Sequence, residues 1–129
     1  MNHFARVQGM EVLKAENGHC EMRMPIGEEQ LNVMGNVHGG VSFALADTVV
    51  GIACASTGTF FVTLDTSFSY LRPGRDTAYL SGKADVLKMG SQIAVVRVSI
   101  YDEREEEIAA GQFTYFNTGN ACDMSIFAD

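Results

Sequence analysis

The 129-residue chain has no tryptophan, two prolines, three cysteines and three histidines. Cys20, Cys54 and Cys122 are odd in number, far apart and form no CxxC pair. That excludes a disulfide framework or a zinc knuckle as the basis of the fold. His3, His19 and His38 show no metal-ligand spacing, so no metal site is expected. Positive charge is scarce: nine Lys and Arg stand against 16 Asp and Glu, a net charge of −7. This balance opposes nucleic acid or an anionic membrane as the main partner. The first residues, Met-Asn-His-Phe-Ala-Arg, lack the basic-then-apolar pattern of a leader. A reducing, cytoplasmic setting is the expectation. No internal repeat, linker or low-complexity segment is present. We expect a single domain over residues 1–129, with a core about 10–117 and a tail at 118–129 without clear period.

What the middle of the chain lacks is charge. Between Glu29 and Asp65 there is one formal charge, Asp47, inside the apolar, proline-free run Val41–Ala55. A carboxylate is costly to desolvate, so Asp47 must be neutral, hydrogen-bonded or facing a cavity. Upstream, His38-Gly39-Gly40 marks the change from loop to helix. Two glycines let backbone approach a ligand closely, and a helix start offers unpaired N–H groups to an oxygen atom. Together they suggest a site that polarises a carbonyl and supplies an acid/base group. Gly39 to Val62 is long and mostly apolar, but Asp47, Gly51, Gly58 and strand-like alternation after Thr59 argue for a buried helix, not a membrane span.

Taken in order, residues 10–16 and 19–26 alternate around Asn17-Gly18, a hairpin signal. A helix is expected from about Gly40 to Ser56, apolar nearly all round and therefore covered on most sides. Four strands follow, at 60–71, 78–89, 92–102 and 108–117. In the first, Val62, Leu64, Phe68 and Tyr70 are expected on one face, with Thr63, Asp65, Ser67 and Ser69 on the other. Asp65 is a candidate partner for Arg72, and the acidic stretch from Asp102 to Glu107 reads as a solvated turn. Consecutive strands with short turns imply a mostly antiparallel sheet, and one long helix packed in it gives an α+β arrangement.

Asn32-x-x-Gly35-x-x-His38-Gly39-Gly40, then Leu45-Ala46-Asp47, then Asp65 to Tyr70 with Leu71-Arg72-Pro73, resemble the hotdog-fold thioesterases of the phenylacetic-acid-pathway (PaaI-like) type. The resemblance covers about residues 10–117. It implies a hotdog fold, a curved antiparallel sheet wrapping the long helix, with two subunits joining their sheets and dimers often pairing into tetramers. It implies acyl-CoA hydrolysis, with the Gly39 N–H on the thioester carbonyl and Asp47 as base or nucleophile. Asn32 would position water or ligand, His38 support the loop and thioester, and Thr63 assist Asp47. Gly40, Arg72, Lys88, Gly90 and Ser91 are the substrate-binding candidates, Lys88 standing before a turn where the family places nucleotide contacts. Arg75, Lys83 and Arg97 are further candidates for the CoA phosphates; the seven methionines are expected to fill core gaps, with an adaptable acyl pocket the alternative for Met22, Met24 and Met34. Hydrolysis needs no cofactor. A hydratase is disfavoured because no second histidine lies near Asp47, and a non-catalytic acyl-CoA binding module is the alternative.

Spacing bears on assembly as well. Gly39 and Asp47 are eight residues apart, about 12 Å along a helix. One helix cannot bring both to a single thioester carbon, but antiparallel helices of two paired subunits could. The expected partner is therefore a second copy, with sites shared across the homodimer interface.

Overall fold

The structure, a computed structural model, describes residues 2–128. A short helix α1 (His3–Val7) precedes the hairpin β1 (Glu11–Glu16) and β2 (His19–Pro25). A 3₁₀ turn (Glu28–Gln30) leads to the long helix α2 (Gly39–Ala55). Then come β3 (Thr59–Tyr70), β4 (Tyr79–Met89), β5 (Ile93–Tyr101), β6 (Glu107–Ala121) and a closing 3₁₀ turn (Met124–Phe127). The strands form one antiparallel sheet in the order β1-β2-β4-β5-β6-β3. This is the α+β hotdog arrangement, with α2 packed on one face of the curved sheet.

The hairpin turn follows from its residues. Asn17 and Gly18 both take positive φ, 50° and 80°, which matches the twist of two-residue hairpins and suits only such residues. The Gly18 N–H then donates to Ser56 Oγ at 2.8 Å, tying the hairpin to the end of α2.

Alternation along the strands builds the core. Cys20, Met22 and Met24 of β2, Leu80 and Ala84 of β4, Ala94, Val96, Val98 and Ile100 of β5 and Phe113 of β6 are all buried. They meet Leu45, Ala46, Val49, Val50, Ala53 and Cys54 of α2. Phe43 joins them from the flank of α2, in edge and tilted ring contacts with Phe68 and Phe113 at 5.5 Å. Met22 and Met24 therefore fill the core, and Met34 is exposed. None of the three lines the cavity beside Asp47, so they do not form an acyl pocket.

Three further expectations are corrected. In β3 a bulge falls between Thr63 and Asp65: Thr63 pairs with Tyr115, while Asp65 pairs with the adjacent Thr114. The extra residue, Leu64, inverts the alternation. Thr63 thereby faces α2 together with Phe68 and Tyr70, and Val62 and Leu64 are over half exposed. Second, Asp102 is buried in its turn. Its Oδ1 accepts from the N–H groups of Arg104 and Glu106 at 2.9 and 3.0 Å, and its Oδ2 meets the Arg104 guanidinium at 2.9 Å. A buried, fully hydrogen-bonded carboxylate costs far less than a bare one. Third, among the described residues the Asp65 side chain bonds only its neighbour, accepting from the Thr66 N–H, and Arg72 faces Glu106 instead. Beyond 117, β6 continues to Ala121 before the last 3₁₀ turn.

The Leu71-Arg72-Pro73-Gly74 motif has a structural role. After β3, at one edge, the chain must cross the end of the sheet to reach β4 beside β2. On this crossing the Gly74 carbonyl accepts from the Val37 N–H at 2.8 Å, and Arg75 Nε donates to Asn36 Oδ1 at 3.0 Å. A Cβ on Gly74 would approach Val37 to 3.0 Å. The crossing thus clamps the loop that delivers His38 and Gly39.

Candidate active site

Asp47 sits on the flank of α2 and is only half-buried. Two hydroxyls hold its Oδ1: Thr63 Oγ1 at 2.7 Å and the phenol of Tyr115 at 2.5 Å. Tyr115 OH also lies 2.7 Å from the Asp47 carbonyl oxygen. Oδ2 has no partner among the described residues, so it is the oxygen open to a ligand. The β3 bulge and the Thr63–Tyr115 register place both donors side by side beneath the carboxylate. Burial, and then the hydrogen bond to Asp47, push the Tyr115 phenol well above its ordinary range. Tyr115 is therefore held as a phenol that donates a hydrogen bond to Asp47.

The cavity above this group has a volume of about 1220 Å³. Asp47, Thr63 and Tyr115 form its polar corner, and Phe43, Phe60, Phe61 and Ile52 are among its apolar walls. Residues of α1 and of the last 3₁₀ turn line its rim. Among the described residues, Asp47 is the only carboxylate in the lining.

Gly39 opens to a different cavity, of about 430 Å³, shared with Asn32, Ser42, Tyr70 and Arg72. His38 caps α2: its Nδ1 accepts from the Gly40 N–H at 2.9 Å. Gly40 thus spends its donor inside the loop. The Gly39 N–H has no partner among the described residues, which leaves it for an acceptor. The Gly39 carbonyl accepts from Tyr70 OH at 2.7 Å, and a Cβ on Gly39 would come within 3.3 Å of the Tyr70 ring. Asn32 braces the loop, its Oδ1 accepting from the N–H groups of Met34 and Asn36 at 2.9 and 3.1 Å.

The structure therefore joins Thr63 to Asp47 and gathers Asn32, Gly39 and Arg72 about a second cavity. It does not bring the two groups together within one chain. Lys88, Gly90 and Ser91, in and beside the β4–β5 turn, line neither cavity. Sequence reasoning missed Tyr115, which it read only as part of a final strand. The signal was available: a tyrosine in a buried alternation needs a partner for its hydroxyl, and a lone acid on the packed helix is an obvious acceptor. Burial raises the Cys20 and Cys54 thiols to about 12, so neither is a thiolate nucleophile. Among the described residues no helix is long and apolar enough to cross a membrane.

Comparison with known proteins identifies the family. Residues 34–109, the stretch holding His38, Gly39, Asp47 and Thr63, match the Thioesterase superfamily. Acyl-coenzyme A thioesterase PaaI of Escherichia coli is 30% identical over 105 residues, covering 81% of this chain and 75% of the relative. The solved structure of the E. coli PaaI protein from the phenylacetic acid degradation operon superposes with a TM-score of 0.89 at 27% identity, over 93% of this chain and 87% of that one. A Streptococcus mutans protein crystallised with acetyl CoA gives 0.82 at 32% identity, over 86% and 90% of the two chains. The chain belongs to the thioesterase superfamily, as a thioester hydrolase of the PaaI-like, hotdog-fold type.

Proposed function

We propose that the protein hydrolyses acyl-CoA thioesters of small aromatic or short- to medium-chain acids, at a site completed by a second copy of the chain. The observation that carries this reading is the separation of the two half-sites. The free N–H of Gly39 and the free oxygen of Asp47 lie on one helix but open to separate cavities. A two-fold axis between antiparallel helices sets Gly39 of one protomer against Asp47 of the other and gives two equivalent sites. The edge strand β3, exposing Val62 and Leu64, is available for sheet pairing about that axis. In the cytoplasmic setting proposed, such dimers pair further into a tetramer.

In this arrangement the Gly39 N–H polarises the thioester carbonyl and stabilises the oxyanion that forms there. Asp47 Oδ2 takes a proton from water, whose oxygen attacks the carbonyl carbon; collapse expels CoA thiolate. Direct attack by Oδ2, giving an anhydride that water then opens, uses the same geometry. Single turnover in labelled water separates the two, since label enters Asp47 only along the second path. Asn32, with its carbonyl committed to the loop, contributes its amide donors at the Gly39 cavity, and the His38 cap holds that N–H in place. Gly40 gives close backbone approach. Lys88, with no partner among the described residues, meets the CoA phosphates beside Gly90 and Ser91, with Arg72 bordering the Gly39 cavity.

Mixed dimers test the shared site. When Asp47→Ala and Asn32→Ala subunits are unfolded and refolded together in equal amounts, half the dimers are mixed and each holds one intact site. About a quarter of wild-type activity should return. Activity that stays at the homodimer background, with subunit exchange demonstrated, places each site within one chain.

A further inference from the structure

Gly51 lies one turn beyond Asp47 and shares its cavity. A glycine inside a helix destabilises it relative to alanine, so it calls for a reason. Conformation is not the reason: Gly51 is in the interior of α2 and is not among the positive-φ glycines. Internal packing is not the reason either. A Cβ built at Gly51 would come no closer than 3.6 Å to any neighbouring atom, the nearest being Tyr115 Cε2 and the next Tyr115 OH at 3.7 Å. That is ordinary contact, in contrast with Gly111, where a Cβ would stand 2.3 Å from the Ser67 carbonyl oxygen. Alanine fits the folded chain at position 51.

What a side chain there would change is the cavity. It would stand in the wall of the Asp47 cavity, beside the Tyr115 ring and hydroxyl, in a lining that also holds Ile52, Phe60 and Phe61. We propose that Gly51 is a specificity-determining residue: its bare backbone gives clearance for an extended apolar acyl group to lie along α2 next to the Asp47 carboxylate. The inference rests on the thioesterase reading above and narrows it, selecting phenylacetyl- and octanoyl-type acyl groups over acetyl. An acetyl group ends before reaching the next helical turn and gains nothing from the clearance. A ring or chain several carbons long needs it.

The test uses the full chain, with Gly51→Ala and the similar-sized Gly51→Ser. Hydrolysis of phenylacetyl-CoA, octanoyl-CoA and acetyl-CoA is followed by thiol release, with Tm and sedimentation measured on each variant. The expected result is a Tm for Gly51→Ala raised by about 2–4 °C from helix propensity, with assembly unchanged. The ratio of kcat/KM for either long acyl group to that for acetyl should fall at least about tenfold. An equal loss on all three substrates overturns the proposal and means that a Cβ disturbs Tyr115 and Asp47 instead. Unaltered ratios with a raised Tm overturn it too, as the acyl group then lies elsewhere. A lowered Tm or dissociated subunits would show that the glycine serves packing or the partner. If the wild-type protein hydrolyses none of the three, the thioesterase reading itself fails, a result distinct from all of these.

Discussion

Removing one oxygen atom from Tyr115 should impair both stability and turnover, by amounts the structure sets. Tyr115→Phe keeps the buried ring against Phe113 and deletes the hydroxyl 2.5 Å from Asp47 Oδ1 and 2.7 Å from the Asp47 carbonyl oxygen. A hydrogen bond to a charged acceptor contributes about 1.5–3 kcal/mol. The unfolding entropy of a chain this size then gives a Tm lower by about 5–11 °C. For catalysis the loss is one of aim. With only Thr63 left on Oδ1, the carboxylate can rotate and Oδ2 is no longer fixed, so kcat should fall about 10- to 100-fold, equivalent to about 1.4–2.8 kcal/mol of barrier. KM should change less than kcat, because the ring stays in the cavity wall and the hydroxyl is engaged by Asp47. Thr63→Val should act the same way, and the double variant should be non-additive, since each hydroxyl restrains the same oxygen. Differential scanning calorimetry and steady-state thiol release measure these quantities. A lowered Tm with wild-type kcat would refute the reasoning, leaving Tyr115 a structural residue that merely touches Asp47.

Asp47→Asn should lower kcat by about 10²- to 10⁴-fold, the range for an acid/base group. Its amide oxygen can still accept from Thr63 and Tyr115, so the Tm should hold; near-normal turnover of an unfolding-prone variant would remove Asp47 from the site. Gly111→Ala forces a Cβ to within 2.3 Å of the Ser67 carbonyl oxygen across the β3–β6 ladder. It should cost more than about 3 kcal/mol and be seen as poor soluble yield or a large Tm loss, whereas a wild-type Tm would contradict the strand spacing. His19 bridges Glu21 at 2.7 Å and Asp85 at 2.6 Å. The Glu21 bond first, and then Asp85, raise the imidazole above its ordinary value, while His19 holds the Glu21 carboxyl below its own. The His19 contribution is complete below its unfolded pKa and lost as pH rises through the raised one; the Glu21 contribution is lost as pH falls through its lowered one. Stability should therefore peak at mildly acidic pH by at most about 1 kcal/mol, since solvent still reaches and screens this half-buried pair. In His19→Gln, urea titration across pH 5–8 should lose that slope, and an unchanged slope would refute the assignment.

The parts legible in the sequence were those carried by local pattern. Asn17-Gly18 announced its hairpin, the charge-free run announced α2, and Asp47 had to be hydrogen-bonded or face a cavity and does both. The failures have a common cause in register and distance. Leu64 looks like any apolar strand residue, yet as a bulge it reverses which side of β3 is buried and aims Thr63 at Asp47. Periodicity cannot reveal an insertion that only pairing with β6 defines. Tyr115 and Asp47 are 68 residues apart, and nothing local to either names the other. Asp102 shows the converse error, an acid in an acidic stretch that reads as solvated and is buried by backbone N–H groups only its own turn supplies.

The sheet order has a consequence for biosynthesis. β3 is made early, directly after α2, but its one neighbour in the sheet is β6, the last strand. Until β6 emerges from the ribosome, a 12-residue segment carrying Phe60, Phe61, Val62 and Leu64 has no strand to pair with. During that interval the nascent chain exposes an apolar edge of the kind that recruits other chains. The same late strand brings Tyr115 to Asp47, so the pairing that ends the hazard also assembles the carboxylate. A chain interrupted after β5 is thus both sticky and without the tyrosine that holds Asp47, and closing β3 onto β6 is a long-range, slow kind of step. Quality control of this protein and maturation of its activity converge on one event.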